Sequence, residues 1–265
     1  MTPEPNYLGR WVSESMNTHS SSQAIITRHL CMAADAEKYS RLDTPGQEAL
    51  QADLVRVLEE AAMLSGLDRT TWERQPKGDE EFAVLPADTQ EPLVLGRFVR
   101  HLAVRIGERN ANRAEGERMR LRLAIDFGVA RTAALGHSGP APVSVARYLN
   151  ADQLKRVLEK LSSTDLVVIV SDRVYQDVVR FRGDGQGLDP ARYVKVHVRK
   201  KEFSGYGWIH VPEHTREELE PLVADPEPDE PVVPAHTTVV KDNKDGVFHF
   251  GSGDAARTMH KKYYR

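Results

Sequence analysis

Apolar positions recur along this chain with two periods, one of strands and one of helices. Ala24-Ile25-Ile26-Thr27-Arg28-His29-Leu30-Cys31-Met32 is an apolar run of strand length that closes on Met32-Ala33-Ala34-Asp35. Over 45–66, Leu50, Leu54, Val57, Leu58, Ala61 and Leu64 return every three or four positions and predict a helix with one apolar stripe. Thr70–Gln75 and Glu81–Pro86 read as two strands joined at Pro76-Lys77-Gly78-Asp79, a glycine-containing hairpin turn. A second long helix is expected over 91–114, with Leu95, Phe98, Leu102, Val104 and Ile106 mainly on one side. Residues 119–129 alternate apolar and polar, as a half-buried strand does. After a Gly/Pro-rich turn from Gly136 to Pro142, the pattern predicts a helix over 143–162 and a β-branched strand at Leu166–Val170. Ser171 or Asp172 would cap the helix that follows. Tyr193–Val198 and Gly207–Val211 make the last expected hairpin. The order β-α-β-β-α-β-α-β-α-β predicts an α+β sandwich, with helices on one face of a mostly antiparallel sheet.

The patterning also divides the chain. Residues 1–22 are polar with a serine-rich end and are expected to be disordered, leaving 23–212 as the folded domain. Residues 213–236 contain the acidic, proline-rich run Asp225–Pro231, read as a linker. Residues 237–265 form a flexible tail with β-prone runs between Val239 and Phe250 and a basic, aromatic end. Such a tail can dock on a partner protein's sheet edge, self-associate or pack on its own domain.

Composition narrows the function classes. The chain has 265 residues, of which 40% are hydrophobic and 28% charged, and a net charge of −3 that argues against nucleic acid as a partner. Its single cysteine, Cys31, excludes an intramolecular disulfide and a multi-cysteine zinc site. No stretch approaches the ~20 apolar residues of a membrane span, and the N-terminus lacks an apolar signal core. A soluble cytoplasmic protein is the expectation. The histidines show no metal-ligand spacing.

Two acidic residues stand out. Asp35 and Asp79 each lie at the end or turn of an expected strand, 44 positions apart. Two carboxylates brought together on neighbouring strands offer hard oxygens to Mg²⁺ or Mn²⁺, the ions that handle nucleotide phosphates. Either aspartate can equally serve as a plain turn or cap residue.

These segments resemble the class III nucleotidyl cyclase homology domain, over roughly 23–182. In that family a strand ends in an alanine-aspartate segment followed by an aromatic and a Ser/Thr, similar to Ala34-Asp35 with Tyr39-Ser40-Arg41-Leu42. A second metal aspartate follows a hairpin glycine, similar to Gly78-Asp79. An Arg-x-Gly-x-His-x-Gly-like strand is loosely matched by Arg122–Gly128, and an Asn-x-x-x-Arg helix by Val143–Arg147.

The resemblance implies a ferredoxin-like, class III cyclase-type sheet with helices packed on it. It implies that a nucleoside triphosphate becomes a cyclic mononucleotide and pyrophosphate. Two Mg²⁺ or Mn²⁺ ions would be held by Asp35, Asp79 and the carbonyl of Ala36, with Arg147 facing the transition state. It further implies a head-to-tail homodimer, with metals from one protomer and the arginine from the other. Substrate contacts would come from Gln75, Lys77, Gly78 and Val143.

The departures fall among those contacts. Val143 stands where the family has a ribose-orienting asparagine, and Gln75 where adenylate cyclases have a purine-selecting lysine. The lysine's aspartate partner maps near Gly136. A different base, a weak cyclase and a domain without catalysis all stay open; the last would serve nucleotide sensing or protein interaction in signalling or defence. The turn at Gly78-Asp79 also resembles the diguanylate cyclase signature, except that Lys77 replaces one of its two glycines.

Overall fold

The computed structural model describes residues 27–181 and 187–224. β1 (Arg28–Ala36) buries five successive side chains, Leu30 to Ala34. α1 (Thr44–Leu64) begins at Asp43, whose carboxylate accepts from the Gly46 amide at 3.0 Å, with a proline in the first turn. Its expected stripe is buried from Leu50 to Ala61, while Leu64 ends exposed. β2 (Glu73–Lys77) and β3 (Glu80–Val84) form the expected hairpin, turning through Gly78 at φ +62°. α2 (Val99–Asn110) follows a π-helical stretch, Leu93–Phe98, and together they fill most of the expected 91–114 helix.

β4 (Leu121–Val129) is the expected alternating strand. Within the Gly/Pro-rich turn lies a small hairpin, β5 (Arg131–Ala133) and β6 (Gly136–Ser138). The helix expected over 143–162 is two helices, α3 (Pro140–Leu149) and α4 (Asp152–Lys160). The break has a local cause: Asn150 turns its carboxamide back to the Ala146 carbonyl at 3.1 Å, and Ala151 is extended. β7 (Leu166–Ser171) is buried throughout, and Ser171 Oγ accepts from the Val174 amide at 3.2 Å. Ser171, rather than Asp172, therefore caps α5 (Asp172–Val174), which runs on as a π-turn, Tyr175–Val179. β8 (Val194–Lys200) and β9 (Phe203–His210) make the last hairpin, and α6 (Arg216–Val223) follows.

The main sheet has seven strands in the order β2-β3-β1-β4-β7-β9-β8, and among the described residues only the β4–β7 pair is parallel. Helices cover both faces, which corrects the one-sided sandwich expected from the sequence. α1 and α2 pack with Leu30, Met32 and Ala34 of β1, whereas α3, α4 and α6 share a core with Cys31 and Ala33. Strands as uniformly apolar as β1 and β7 need cover on each side. α6 also corrects the expected end of the domain. Its Leu219 and Val223 are buried, so the packed chain runs through 223 rather than stopping at 212. The expected disordered N-terminus (1–22), the acidic run Asp225–Pro231 and the tail (237–265) lie outside the described residues. No helix among the described residues is long and apolar enough to cross a membrane.

One half-buried residue, with its ring Nδ1 buried, gives the fold a pH dependence. His210 ends β9 with its ring stacked on Tyr193 at 4.7 Å. Burial, helped by the nearby Arg192 charge, holds its imidazole down to about 4. A folded-state value below that of the unfolded chain means that stability is lost as pH falls from about 6.5 towards 4, by at most about 3 kcal/mol. His210→Phe should flatten urea-midpoint profiles in that window; an unchanged slope would exclude His210 as the source.

Candidate active site

Asp35 is the penultimate residue of β1, and the sheet gives it two cross-strand neighbours, Glu80 on β3 and Arg122 on β4. Side chains directly opposite on adjacent strands stand about 4.5–5.5 Å apart at Cβ, within reach of one another. Arg122 donates through Nη2 to Asp35 Oδ2. Asp79 arrives from the β2–β3 turn, whose backbone is stitched to the end of β1: the Ala36 amide donates to the Asp79 carbonyl at 3.0 Å. Gly78, in the left-handed region, makes this tight approach possible. The two aspartates singled out in the sequence are thus brought to one corner.

The corner is electrostatically crowded. Burial raises the Asp35 carboxyl above its usual range and the Asp79 charge raises it further, while Arg122 and Lys155 pull it down. Glu80 is raised by its own burial and then by Asp35. Arg122 does not resolve this crowding. Its Nε and Nη1 are buried without an acceptor, and no hydrogen bond among the described residues reaches Asp35 Oδ1. Among the described residues the site therefore leaves Asp35 Oδ1 without a hydrogen bond and two Arg122 nitrogens without an acceptor.

Beside it opens a cleft of about 650 Å³ with five cations on its walls: Lys38, Arg41, Arg120, Arg122 and Lys155. Only Glu37 and Glu159 oppose them there. Arg120 is fully engaged, donating to Glu37 at 2.8 Å, to the Thr164 and Leu161 carbonyls at 2.9 and 2.8 Å, and to the Leu158 carbonyl. It fastens the start of β4 to the end of α4 and to the β1–α1 loop.

Among the described residues, no three His, Cys, Asp or Glu side chains gather as a self-sufficient metal group. Asp35 and Asp79 still fit a hard divalent ion, because Mg²⁺ is commonly held by one or two carboxylates and completed by substrate phosphates. The unengaged Oδ1 of Asp35 and the uncompensated charge around it are the features such an ion would satisfy.

Of the remaining residues expected from the sequence, Lys77 borders the corner, opposite Glu80, while none of Gln75, Val143 and Arg147 is hydrogen-bonded to Asp35 or Asp79 among the described residues. Gln75, on β2, donates to the Leu135 carbonyl at 3.3 Å and lies against Gly136, where a Cβ would overlap its carboxamide. Lys77 ends β2, exposed, and its charge acts on Glu80. Val143 is 53% exposed on α3. Arg147 lies half-buried in the last turn of α3 with its Nε lacking an acceptor, and among the described residues no hydrogen bond or ion pair joins it to Asp35 or Asp79. Glu80, Arg122 and Lys155 had no assigned role in the sequence reading. Asp126, 1% exposed, had none either. It accepts from Ser144 Oγ and from the Phe127 amide at 2.8 Å, pinning α3 to β4.

No family model matches the chain, and no curated protein does. Among solved structures, it is similar to an adenylate/guanylate cyclase/hydrolase from Silicibacter pomeroyi, with 20% identity over 71% of this chain and 99% of that one, at a TM-score of 0.45. The guanylyl cyclase Cya2 compares at 10% identity, 70% and 93% coverage and a TM-score of 0.47. The guanylate cyclase domain of RhGC from Catenaria anguillulae compares at 15% identity, 70% and 97% coverage and a TM-score of 0.43. These three likenesses lie between 10% and 20% identity and at TM-scores below 0.5.

Proposed function

We propose that this domain binds a nucleoside triphosphate at the Asp35–Asp79–Arg122 corner and converts it to a cyclic mononucleotide and pyrophosphate. The observation that carries the reading is Arg122, which holds Asp35 with one amino group while two further donors have no acceptor. A phosphate oxygen can accept a charge-assisted hydrogen bond from either of those donors, which lie on different edges of the guanidinium. Asp35 and Asp79, with the Ala36 carbonyl, would hold Mg²⁺ or Mn²⁺. Bound there, such ions supply charge neutralisation on the phosphates and a lowered pKa for the attacking hydroxyl.

The chain's own residues then divide the work. Arg122 orients the phosphate tail and opposes the effect of burial on the Asp35 carboxyl. The 3′-hydroxyl gives up its proton to water as its oxygen attacks its own α-phosphorus, the bond to the bridging oxygen breaks, and pyrophosphate leaves. The partner subunit's Arg147 would stabilise charge at the α-phosphate; among the described residues of one chain, no hydrogen bond or ion pair joins Arg147 to Asp35 or Asp79. The active unit is then a head-to-tail homodimer.

Mixing inactive variants tests this division. Asp35→Asn and Arg147→Ala should each lack turnover alone. Mixed, they should regain roughly a quarter of wild-type activity, since half the dimers carry one intact site of two. No recovery after subunit exchange would rule out the shared site.

Val143 and Gln75 favour a second reading: a nucleotide-sensing or interaction module of the same fold without turnover. Val143 cannot hydrogen-bond a ribose, and the Gln75 amide is engaged by the Leu135 carbonyl. This reading predicts triphosphate binding and dimerisation with no product.

A further inference from the structure

Lys38 joins β1 to the short turn Tyr39–Arg41 at φ 66° and ψ 12°, a left-handed conformation that disfavours side chains other than glycine and asparagine. Among the described residues only one other non-glycine residue has positive φ, Lys201 in the β8–β9 turn. Strain of this kind persists where the surroundings over-determine it, commonly at ligand clamps. Here it directs a lysine to the wall of the basic cleft. Glu37 lies 3.5 Å from the Lys38 ammonium, but the same Glu37 oxygen already accepts from Arg120 at 2.8 Å, so Lys38 is only partly neutralised.

Lys155 faces the same cleft from α4. Its ammonium donates to Asn150 Oδ1 at 3.0 Å and has no carboxylate ion pair among the described residues. Burial, then Arg122 and Lys200, push its pKa down, the sign of crowded cations that an anion would relieve. Arg41, which also lines the cleft, has no ion pair among the described residues. A cleft with two under-neutralised lysines, a free arginine and the orphaned donors of Arg122 suits a multiply charged, oxygen-rich anion.

We infer that Lys38 and Lys155 form a phosphate clamp within one chain, gripping the outer phosphates of a bound triphosphate from the β1–α1 loop and from α4. The inference rests on the reading of the corner as a triphosphate site. It adds that the grip on the leaving pyrophosphate comes from the protomer that carries Asp35 and Asp79. Lys38 accepts an unfavourable backbone conformation for that purpose.

Inorganic tripolyphosphate is the probe, titrated calorimetrically into the full chain. Lys38→Asn and Lys155→Gln should each weaken binding about tenfold, the loss expected for one charge-assisted contact. Lys38→Asn should also raise the melting temperature, because asparagine tolerates the left-handed region. Lys201→Asn should raise it likewise with unchanged affinity, and Lys38→Arg should keep the affinity. Binding within twofold of wild type for both cleft variants overturns the clamp. So does an equal loss in Lys201→Asn, which would mean general surface charge, or a wild-type chain that does not bind tripolyphosphate. The readout is binding, so it separates from the fate of the cyclase reading. Lysine-dependent binding without any cyclic product would sink cyclisation and leave the clamp standing; turnover with lysine-independent binding would do the reverse.

Discussion

Asp79→Asn should lower cyclic nucleotide formation by at least about 10²- to 10³-fold, the scale of losing one pre-placed electrostatic group, while leaving the melting temperature unchanged or higher. The two halves of this expectation have one cause. Asp79 sits in a turn whose backbone carbonyl, not its carboxylate, accepts the Ala36 amide, so the substitution leaves that stitch intact. Its charge is one of the groups that raise the Asp35 carboxyl, so removing it relieves like-charge crowding. A residue that destabilises its surroundings yet is needed for turnover marks a site selected for chemistry rather than for stability. Retained turnover, or a melting temperature lowered along with activity, would return Asp79 to the role of an ordinary turn residue.

Arg120→Ala should cost about 3–5 kcal/mol of folding stability, the range for removing one partner of a buried, hydrogen-bonded charge. Arg120 is 6% exposed and feeds Glu37 together with the carbonyls of Leu158, Leu161 and Thr164. Two of those carbonyls belong to the end of α4, where helical acceptors have no partner within the helix. Losing the guanidinium orphans them and frees the β1–α1 loop that carries Glu37 and Lys38. For a domain of this size the melting temperature should drop by roughly 10 °C or more. Urea unfolding at an unchanged m-value checks the magnitude. A loss below about 1 kcal/mol would mean that water replaces these bonds.

How much of this was legible in the sequence can be judged from particular residues. The stripe from Leu50 to Ala61 sets α1, and Gly78-Asp79 sets the β2–β3 turn, because both signals are local. The apolar character on both faces of β1 and β7 already asked for helices on each side, so that signal was present and misread. The break between α3 and α4 was hidden because 143–162 holds no glycine or proline; its one trace is the step of five from Leu149 to Leu154, between pairs spaced by three or four. β5 and β6, at three residues each, are too short to pattern. At the site, Asp35 and Asp79 could be nominated from their strand-end positions. Arg122 could not be given its role, since it meets Asp35 across 87 positions and only the β1–β4 register makes them neighbours. Lys155 is more hidden still: it reaches the cleft only because α4 starts afresh after Asn150.

The central claim is that the Asp35–Asp79–Arg122 corner cyclises a nucleoside triphosphate. The most direct test incubates the purified chain, and its Asp35→Asn/Asp79→Asn double variant, with ATP, GTP, CTP and UTP in turn plus Mn²⁺, and examines the products by mass spectrometry. A cyclic mononucleotide from at least one triphosphate, made by the wild type and absent with the double variant, is the predicted result, and it also names the base. A folded, dimeric wild type that yields no cyclic product from any of the four, or a double variant that makes as much as the wild type, would contradict it.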